Sequence, residues 1–489
     1  MTHQKQDTPD IAAAAKKLLN FPSLRQGQED AIRCLLEGRD VVLVQPTGSG
    51  KSAVYQIAGA LRDGPTVVVS PLIALQKDQA DSIGGSRLRE TAVVNSTLPS
   101  AEYRDALDRI EAGKVEYIFL APEQVSKSET LERLRAAKIS LFAVDEAHCI
   151  SQWGHDFRPD YLGLSPVIDA LRHPPILAMT ATASREVRTE IIERLGMRDP
   201  RVLVQGFDRP NISLRVDTFS NKEEKREAVL RRIEFADKPG IVYVSTHKNA
   251  ETIADDLQAR GVEAVFYHGG LKAREREEIQ NRFMGGDVPV IVATNAFGMG
   301  VDKPDIRFVY HADVSESLDG YYQEIGRAGR DGKPAEAVLF YRPQDISSQQ
   351  YKTGGGNVDS EALESVANAL ASHKRPASRE DLARETSLPQ RKVTHIVQRL
   401  EEVGVAKQLD SGKIKVLRGH SIAEIAEAAA AQQKHEQDQR KWRLEQMRGY
   451  AECRTCRRAY LLRYFGDEFT GPCGNCDRCE QAARFGKVA

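Results

Sequence analysis

Between residues 25 and 340, short runs of aliphatic and β-branched residues alternate with longer stretches whose apolar positions recur at helical spacing. The runs fall at 40–44, 66–70, 117–120, 141–144, 176–179, 240–244, 289–293 and 307–310. The interior of each is continuously apolar rather than alternating, and helical stretches separate them. That pattern predicts parallel strands buried on both faces and joined by crossover helices. The stretch is long for a single sheet. Phe207-Asp-Arg-Pro-Asn211 looks like a joint, which predicts two α/β lobes at 1–206 and 207–345.

After Arg342-Pro343 the pattern turns polar. Lys352-Thr-Gly-Gly-Gly-Asn357 has the composition of a flexible linker, expected over 346–359. Residues 360–418 then give two short helices and a third at 388–404, with Val393, Ile396, Val397, Leu400 and Val403 on one face. A hairpin follows, turning at Asp410-Ser-Gly412. Three helices and a hairpin predict a winged helix-turn-helix. From 421 to about 464 the chain is rich in Ala, Gln and charge with almost no breakers, which predicts a long helix or helical hairpin. It opens a helical module at 419–489 that ends in clustered cysteines, and no internal repeat is visible.

A length of 489 residues suits about three domains of roughly 100–200 residues each. Lys+Arg 69 against Asp+Glu 70 leaves a net charge of -1. That balance excludes a protein that coats nucleic acid through bulk charge, so any nucleic-acid site must be a local basic groove. No apolar run approaches the roughly 18 residues of a membrane span, and residues 1–7 lack the apolar core of a signal peptide. The expectation is a soluble cytoplasmic protein, nucleoid-associated in a bacterium, with no membrane partner. Of the 7 cysteines, Cys34 and Cys149 stand alone, while Cys453, Cys456, Cys473, Cys476 and Cys479 crowd the C-terminal end. In a reducing compartment such crowding reads as metal ligation before disulfides.

The strand at 40–44 runs into Gln45-Pro-Thr-Gly-Ser-Gly-Lys-Ser52 and then a helical stretch. In such a loop Thr47, Gly48, Ser49 and Gly50 present backbone N–H groups to phosphate oxygens. Lys51 reaches the β- and γ-phosphates of ATP, and Ser52 holds Mg²⁺ at the helix N-terminus. Gln45 stands where the strict pattern has Gly, so a plain strand-to-helix turn is the competing reading. The strand at 141–144 delivers Asp145-Glu-Ala-His148, in which Asp145 can serve the Mg²⁺ shell and Glu146 can polarise an attacking water. Adjacent acids after a strand are often a solvated turn, but their distance downstream of Lys51, with parallel strands between, argues against that here.

With these motifs in order, the sequence resembles a superfamily 2 helicase, specifically the RecQ family of DNA helicases, over about residues 19–343 and again 450–480. Phe21, Arg25 and Gln28 match the family's adenine-recognition motif. Val68-Val-Ser-Pro-Leu-Ile-Ala-Leu-Gln-Lys-Asp-Gln79 matches the next motif, and Leu177-Ala-Met-Thr-Ala-Thr-Ala183 the coupling motif. Ile291-Val-Ala-Thr-Asn-Ala-Phe-Gly-Met-Gly-Val-Asp302 and Tyr321-Tyr-Gln-Glu-Ile-Gly-Arg-Ala-Gly-Arg330 match the motifs of the second lobe. The resemblance implies two RecA-like lobes that hydrolyse ATP and move 3′→5′ along single-stranded DNA, with Gln323 at the nucleotide. Arg327 and Arg330 belong to the second lobe and can reach a γ-phosphate in the first only when the cleft closes. An arginine finger of this kind is worth roughly 10³–10⁵ in turnover. Arg330 is assigned as the finger and Arg327 as a second phosphate or interlobe contact.

Ser151-Gln-Trp-Gly-His-Asp-Phe-Arg158 resembles the aromatic-rich loop with which RecQ helicases sense single-stranded DNA. Trp153 and Phe157 can stack on bases and Arg158 can pair with phosphate, with His148, Ser151, Gln152 and His155 alongside. A core Trp is the bland reading, but Gly154, His155 and Asp156 make a poor core context. The spacing Cys456-x16-Cys473-x2-Cys476-x2-Cys479 matches the family's zinc module, whose four thiolates close a tetrahedral structural Zn²⁺ site. Cys453, one helical turn away, is a possible substitute for Cys456. In the winged helix, Arg391, Lys392 and Arg399 lie off the apolar face and suit a DNA groove or backbone, unless they are ordinary solvated charges.

Three features depart from the family pattern. The winged helix precedes the cysteines instead of following them, the chain ends about ten residues after Cys479, and Val244-Ser-Thr-His247 replaces a Cys-x-Ser-Arg run. The leading expectation is a monomeric ATP-dependent DNA helicase acting on single-stranded and forked or duplex DNA in repair or recombination, with a single-stranded-DNA-binding protein among its candidate partners. The alternatives are a remodelling or strand-annealing motor with little unwinding, a zinc and winged-helix regulator whose ATPase has decayed, and an RNA helicase. Intact Lys51, Asp145, Glu146 and Arg330 argue against decay, and the aromatic loop against RNA.

Overall fold

The computed structural model describes residues 10–19, 23–25, 27–46, 48–71, 76–77, 79–81, 83, 90–151, 153, 157–298, 301, 303–347, 360–373, 375–402, 406–409, 413–417 and 422–485. Residues 1–342 and 447–489 form one compact unit, and 343–446 a second. The winged-helix segment is therefore an insertion within the larger unit's chain path.

The first lobe is a seven-stranded sheet of β1 (Val41–Val44), β2 (Thr66–Val69), β3 (Thr91–Val94), β4 (Tyr117–Leu120), β5 (Leu141–Val144), β6 (Ile176–Thr180) and β7 (Arg201–Val204). Its order is β3-β4-β2-β5-β6-β1-β7, and every pairing is parallel. The second lobe is a six-stranded parallel sheet of β8 (Ile212–Thr218), β9 (Gly240–Tyr243), β10 (Ala264–Tyr267), β11 (Val290–Ala293), β12 (Phe308–His311) and β13 (Ala335–Tyr341), ordered β10-β11-β9-β12-β13-β8. Strands β1, β2, β4, β5 and β6 are buried at every position, because helices cover both faces of each sheet. On one face their alternate residues, among them Val41, Leu43, Val68, Phe119, Leu141 and Leu177, merge with the helices Gln28–Leu36 and Ser52–Ala60 into one core. A separate core fills the second lobe.

Strand order positions the chemistry. β6 lies between β5 and β1, so the loops leaving β1 and β5 emerge at the same edge, one strand apart. Crevices outside the carboxyl ends of parallel strands are where such folds bind ligands.

In the second unit, helices Ser360–Ser372, Arg379–Thr386 and Gln390–Glu402 enclose a core of Leu363, Val366, Leu370, Leu382, Val393, Ile396, Val397 and Leu400. The antiparallel pair β14 (Ala406–Gln408) and β15 (Ile414–Val416) closes it. This is the expected three helices and hairpin. The hairpin tip at 410–412, Val403 and linker residues 348–359 lie outside the described residues. Helix Ile422–Glu452 begins in the second unit and ends in the first, its 31 residues containing no proline to stop it.

Candidate functional site

The loop after β1 turns through Gly48 (φ 78) and Gly50 (φ 82), a left-handed backbone that side chains resist. Its carbonyls are held from outside. Arg25 Nη1 donates to Gly48 O at 2.8 Å, and Gln28 Nε2 donates to Ser49 O at 3.1 Å and Gly50 O at 2.9 Å. Gln28 Oε1 in turn accepts from Arg25 N at 2.8 Å. Two of the residues expected at an adenine thus also brace the phosphate loop. Lys51 Nζ donates to Gln45 O at 2.8 Å and Pro46 O at 3.2 Å, and Ser52 begins the helix Ser52–Ala60. Phe21 and Thr47, also expected here, lie outside the described residues.

Asp145 and Glu146 face this loop from the end of β5. Burial, then the Glu146 charge, pushes the Asp145 carboxyl up to about 7, against the pull of Lys51. Burial lowers the Lys51 ammonium, while Glu146 and Asp145 raise it and Arg330 lowers it further. These four groups therefore share one electrostatic site, and a dication or polyphosphate entering it would meet both charge signs. Glu146 stands at φ 46, a strained conformation of the kind that gathers at functional turns. Tyr161 OH donates to Asp145 O at 3.0 Å, steadying the strand end.

The two arginines of the second lobe differ. Arg330 comes closest to the phosphate loop: its Cδ lies 4.0 Å from where a Cβ on Gly48 would stand, and its Nη1 donates to Val301 O at 3.0 Å. Arg327 is buried at 4% exposure, beside Tyr243 and Gly298 within its own lobe. Gln323 sits on the helix Leu318–Ile325 that leads into both. The loop they share is held by residues that the sequence places only in a joint. Arg209 donates through Nη1 to Gly326 O (2.9 Å) and through Nη2 to Ala328 O (2.8 Å) and Gly329 O (3.0 Å), and Asn211 Nδ2 donates to Gly329 O at 2.8 Å. Only their place between the lobes hints at this.

The aromatic loop divides into buried and accessible parts. His148 is 1% exposed, with Nδ1 2.9 Å from Thr180 Oγ1 and 3.3 Å from Glu146 Oε2. Ser151 is fully buried and donates to Glu190 Oε2 at 2.7 Å. Both are expected at the DNA; buried as they are, they also link the acid turn, the coupling motif and the helix Arg185–Leu195. Trp153 and Phe157 are half-buried, and the Trp153 N–H donates to Ser151 Oγ at 3.1 Å. Arg158 Nη1 donates to Pro71 O at 3.3 Å, tying the loop to the segment after β2. Gln152 and His155 lie outside the described residues.

Cys456, Cys473, Cys476 and Cys479 bring their sulfurs within 4.8 Å of one another, and Cys473 Sγ and Cys479 Sγ stand 3.9 Å apart. A tetrahedral zinc with Zn–S of about 2.3 Å needs sulfurs about 3.8 Å apart, so the set fits that metal. Cys453 is outside the group and touches Arg457 Nη1 at 3.4 Å. In the second unit, Lys392 lies half-buried and His395 exposed on the third helix. The side chains of Arg391 and Arg399 are outside the described ones. Lys407 and Lys415 stand directly opposite each other on the hairpin, both exposed, with exposed Lys413 beside them. The motifs of the sequence do not single out this pair, although its alternation with buried Ala406 and Ile414 is a signal that could have found it.

The chain matches the DEAD/DEAH box helicase family over residues 25–190, the helicase conserved C-terminal domain over 224–332 and the RecQ zinc-binding family over 412–480. It is 40% identical over 355 residues to the probable ATP-dependent DNA helicase RecS of Bacillus subtilis, covering 72% of this chain and 71% of RecS. It is 35% identical over 476 residues to the ATP-dependent DNA helicase RecQ of Pasteurella multocida, covering 97% of this chain but only 62% of that protein. Among solved structures, the DNA-bound DUF1998 helicase MrfA aligns with TM-score 0.57 and 17% identity, over 85% of this chain and 60% of that one, a likeness of fold alone. No helix among the described residues is long and apolar enough to cross a membrane. With its motif order, two parallel-sheet lobes and four-cysteine cluster, the chain belongs to the RecQ family of ATP-dependent DNA helicases.

Proposed function

We propose that this protein is a DNA-stimulated ATPase that moves 3′→5′ along single-stranded DNA and unwinds forked or duplex DNA in repair or recombination. The observation that carries the reading is the approach of Arg330, from the second lobe, to Gly48 of the phosphate loop, beside Lys51, Asp145 and Glu146. Lys51 would hold the β- and γ-phosphates. Ser52 and Asp145 would hold Mg²⁺, which would neutralise phosphate charge. Glu146 orients the attacking water, and Arg330 stabilises charge on the transferring phosphoryl group when the lobes close. Trp153 and Phe157 would stack on bases of the tracking strand and signal its presence through Ser151 and Glu190.

The winged helix would hold duplex DNA through Arg391, Lys392 and Arg399, aided by the lysines of the wing. Like charges directly opposite on a hairpin repel. The Lys407–Lys415 pair is therefore costly unless a polyanion lies against it. The wing tip, Asp410-Ser-Gly412, has no aromatic to wedge between base pairs, which favours anchoring over strand splitting by stacking and keeps a motor with little unwinding as the second reading. A strand-displacement assay with 3′-tailed, 5′-tailed, forked and blunt duplexes decides between them. Unwinding of 3′-tailed and forked substrates supports the helicase. ATP turnover without displacement supports the second reading.

A further inference from the structure

The zinc module makes contacts well beyond its own cysteine cluster. Most of its polar ties go to the second lobe. Arg458 pairs with Asp208 and donates through Nη2 to Ile212 O at 2.7 Å, and Asn475 Nδ2 donates to Pro210 O at 2.9 Å. Arg215 pairs with Glu480 at 2.8 Å, and Leu214 on the edge strand β8 forms a parallel bridge with Cys476. The module is thus fastened mainly to the second lobe.

One turn, Tyr464-Phe-Gly466, also reaches the first lobe. Arg188, near the start of the helix Arg185–Leu195, donates through Nη1 to Phe465 O at 3.1 Å. Ser184, which caps that helix, and Glu186 lie beside the Tyr464 hydroxyl. That helix follows the coupling motif at 177–183. On its other side, Tyr464 OH donates to Asp319 Oδ2, and Asp319 is 1% exposed in the first turn of the helix that leads to Arg327 and Arg330. The Phe465 ring stacks on Phe207 at 4.6 Å and 10°, and meets Tyr322 at 4.7 Å. Phe207 is the joint between the lobes. The approach is close: a Cβ on Gly466 would stand 3.0 Å from Arg188 Nη2.

We propose that this turn sets the angle between the lobes at which Arg330 meets the phosphate loop, with Arg188, Tyr464 and Asp319 as positioning residues for hydrolysis. The inference rests on the ATPase reading above. Among the described residues, the module's first-lobe contacts centre on Arg188, Ser184 and Glu186, against its many ties to the second lobe. Interlobe motion must therefore be accommodated at this small contact while the Phe465–Phe207 stack acts as the pivot. The bond from Arg188 is made in the same arrangement that brings Arg330 to Gly48. It therefore favours that arrangement, and its loss lowers the population in which Arg330 stands at the phosphate loop.

The test uses the full zinc-loaded chain and compares Arg188→Ala and Tyr464→Phe with wild type. Tyr464→Phe keeps the ring and removes only the hydroxyl, and Arg188→Lys should restore part of the loss. The kcat of single-stranded-DNA-stimulated ATP hydrolysis should fall roughly 2- to 30-fold, the range that such coupling changes produce, while the KM for ATP, zinc content and thermal midpoint hold. Fluorescence energy transfer between labels on the two lobes, with a non-hydrolysable ATP analogue, should show fewer closed molecules in both variants. Unchanged kcat and unchanged closure in both variants would overturn the proposal. So would a loss of activity matched by loss of zinc or of thermal stability, which marks a structural role. Wild type that closes on the analogue but never hydrolyses ATP would instead sink the ATPase reading.

Discussion

Arg457 and Asp477 form a two-pronged ion pair inside the zinc module, with Nε to Oδ1 at 2.7 Å and Nη2 to Oδ2 at 2.9 Å, and their side chains are only 1% and 5% exposed. Asp477 follows Cys476 of the four-sulfur cluster, and its Oδ2 also accepts from Val216 N at 3.4 Å. The pair thus joins the metal loop to both its own helix and β8. Removing one partner of a buried pair leaves an uncompensated charge and costs about 3–5 kcal/mol. Asp477→Asn should lower the thermal midpoint and loosen zinc, measured by calorimetry and metal release to a chromogenic chelator. Normal stability and zinc retention would show that the pair is not what orders the loop.

Zinc should be found at one per chain. Structural zinc contributes roughly 10–16 kcal/mol in small modules, so Cys473→Ser or Cys476→Ser should give an unstable or insoluble protein. Cys453→Ser should keep both metal and solubility, since Cys453 lies outside the four-sulfur group. Elemental analysis of the purified variants checks this, and zinc loss in Cys453→Ser would shift the ligand set.

Lys51→Ala should abolish ATP hydrolysis while leaving DNA binding largely intact. Arg330→Ala should bind ATP almost normally and lose roughly 10³–10⁵ in turnover. Arg327→Ala should behave differently, because that side chain is buried among Tyr243 and Gly298. It should lower the thermal midpoint as well as activity. Near wild-type turnover in Arg330→Ala would move the finger assignment to Arg327.

Trp153→Ala and Phe157→Ala should reduce DNA stimulation of the ATPase more than they reduce DNA affinity, since phosphate contacts elsewhere supply most of the binding. Titrations of both quantities at one salt concentration decide the matter. Equal losses would make the loop a binding platform and not a sensor.

Neutralising Lys407 and Lys415 to Gln should weaken binding to forked DNA and reduce its log–log salt slope by about 0.9 for each phosphate that is no longer neutralised. The thermal midpoint should not fall, because a repulsive pair has been removed. Reversing charge at Arg391, Lys392 and Arg399 should likewise weaken and flatten fork binding, with basal ATPase on short single strands nearly unchanged. Unaltered fork affinity in both variants would leave the winged helix a packing role.

The sequence alone determined the class of fold and pointed to most of the candidate chemistry. Central strands such as β1, β5 and β9 are buried on both faces and so read as unbroken apolar runs. Phosphate and metal chemistry demands fixed residue types at short spacing, which makes Lys51, Asp145, Glu146 and the four cysteines legible from the order of residues alone. The strands left unread were mostly β3, β7, β8 and β10, which lie at sheet edges. An edge strand has one side open, so its pattern is mixed, as in β8 with alternating buried and half-buried positions. Tertiary structure decided what depends on distant residues meeting. It buried His148 and Ser151, separated Arg330 from Arg327, and put Arg209 and Asn211 under the arginine loop. It also set Tyr464-Phe-Gly466 against both lobes. Such roles come from contacts between residues far apart in the chain, as between Arg188 and Phe465, 277 positions apart, and no local spacing encodes them.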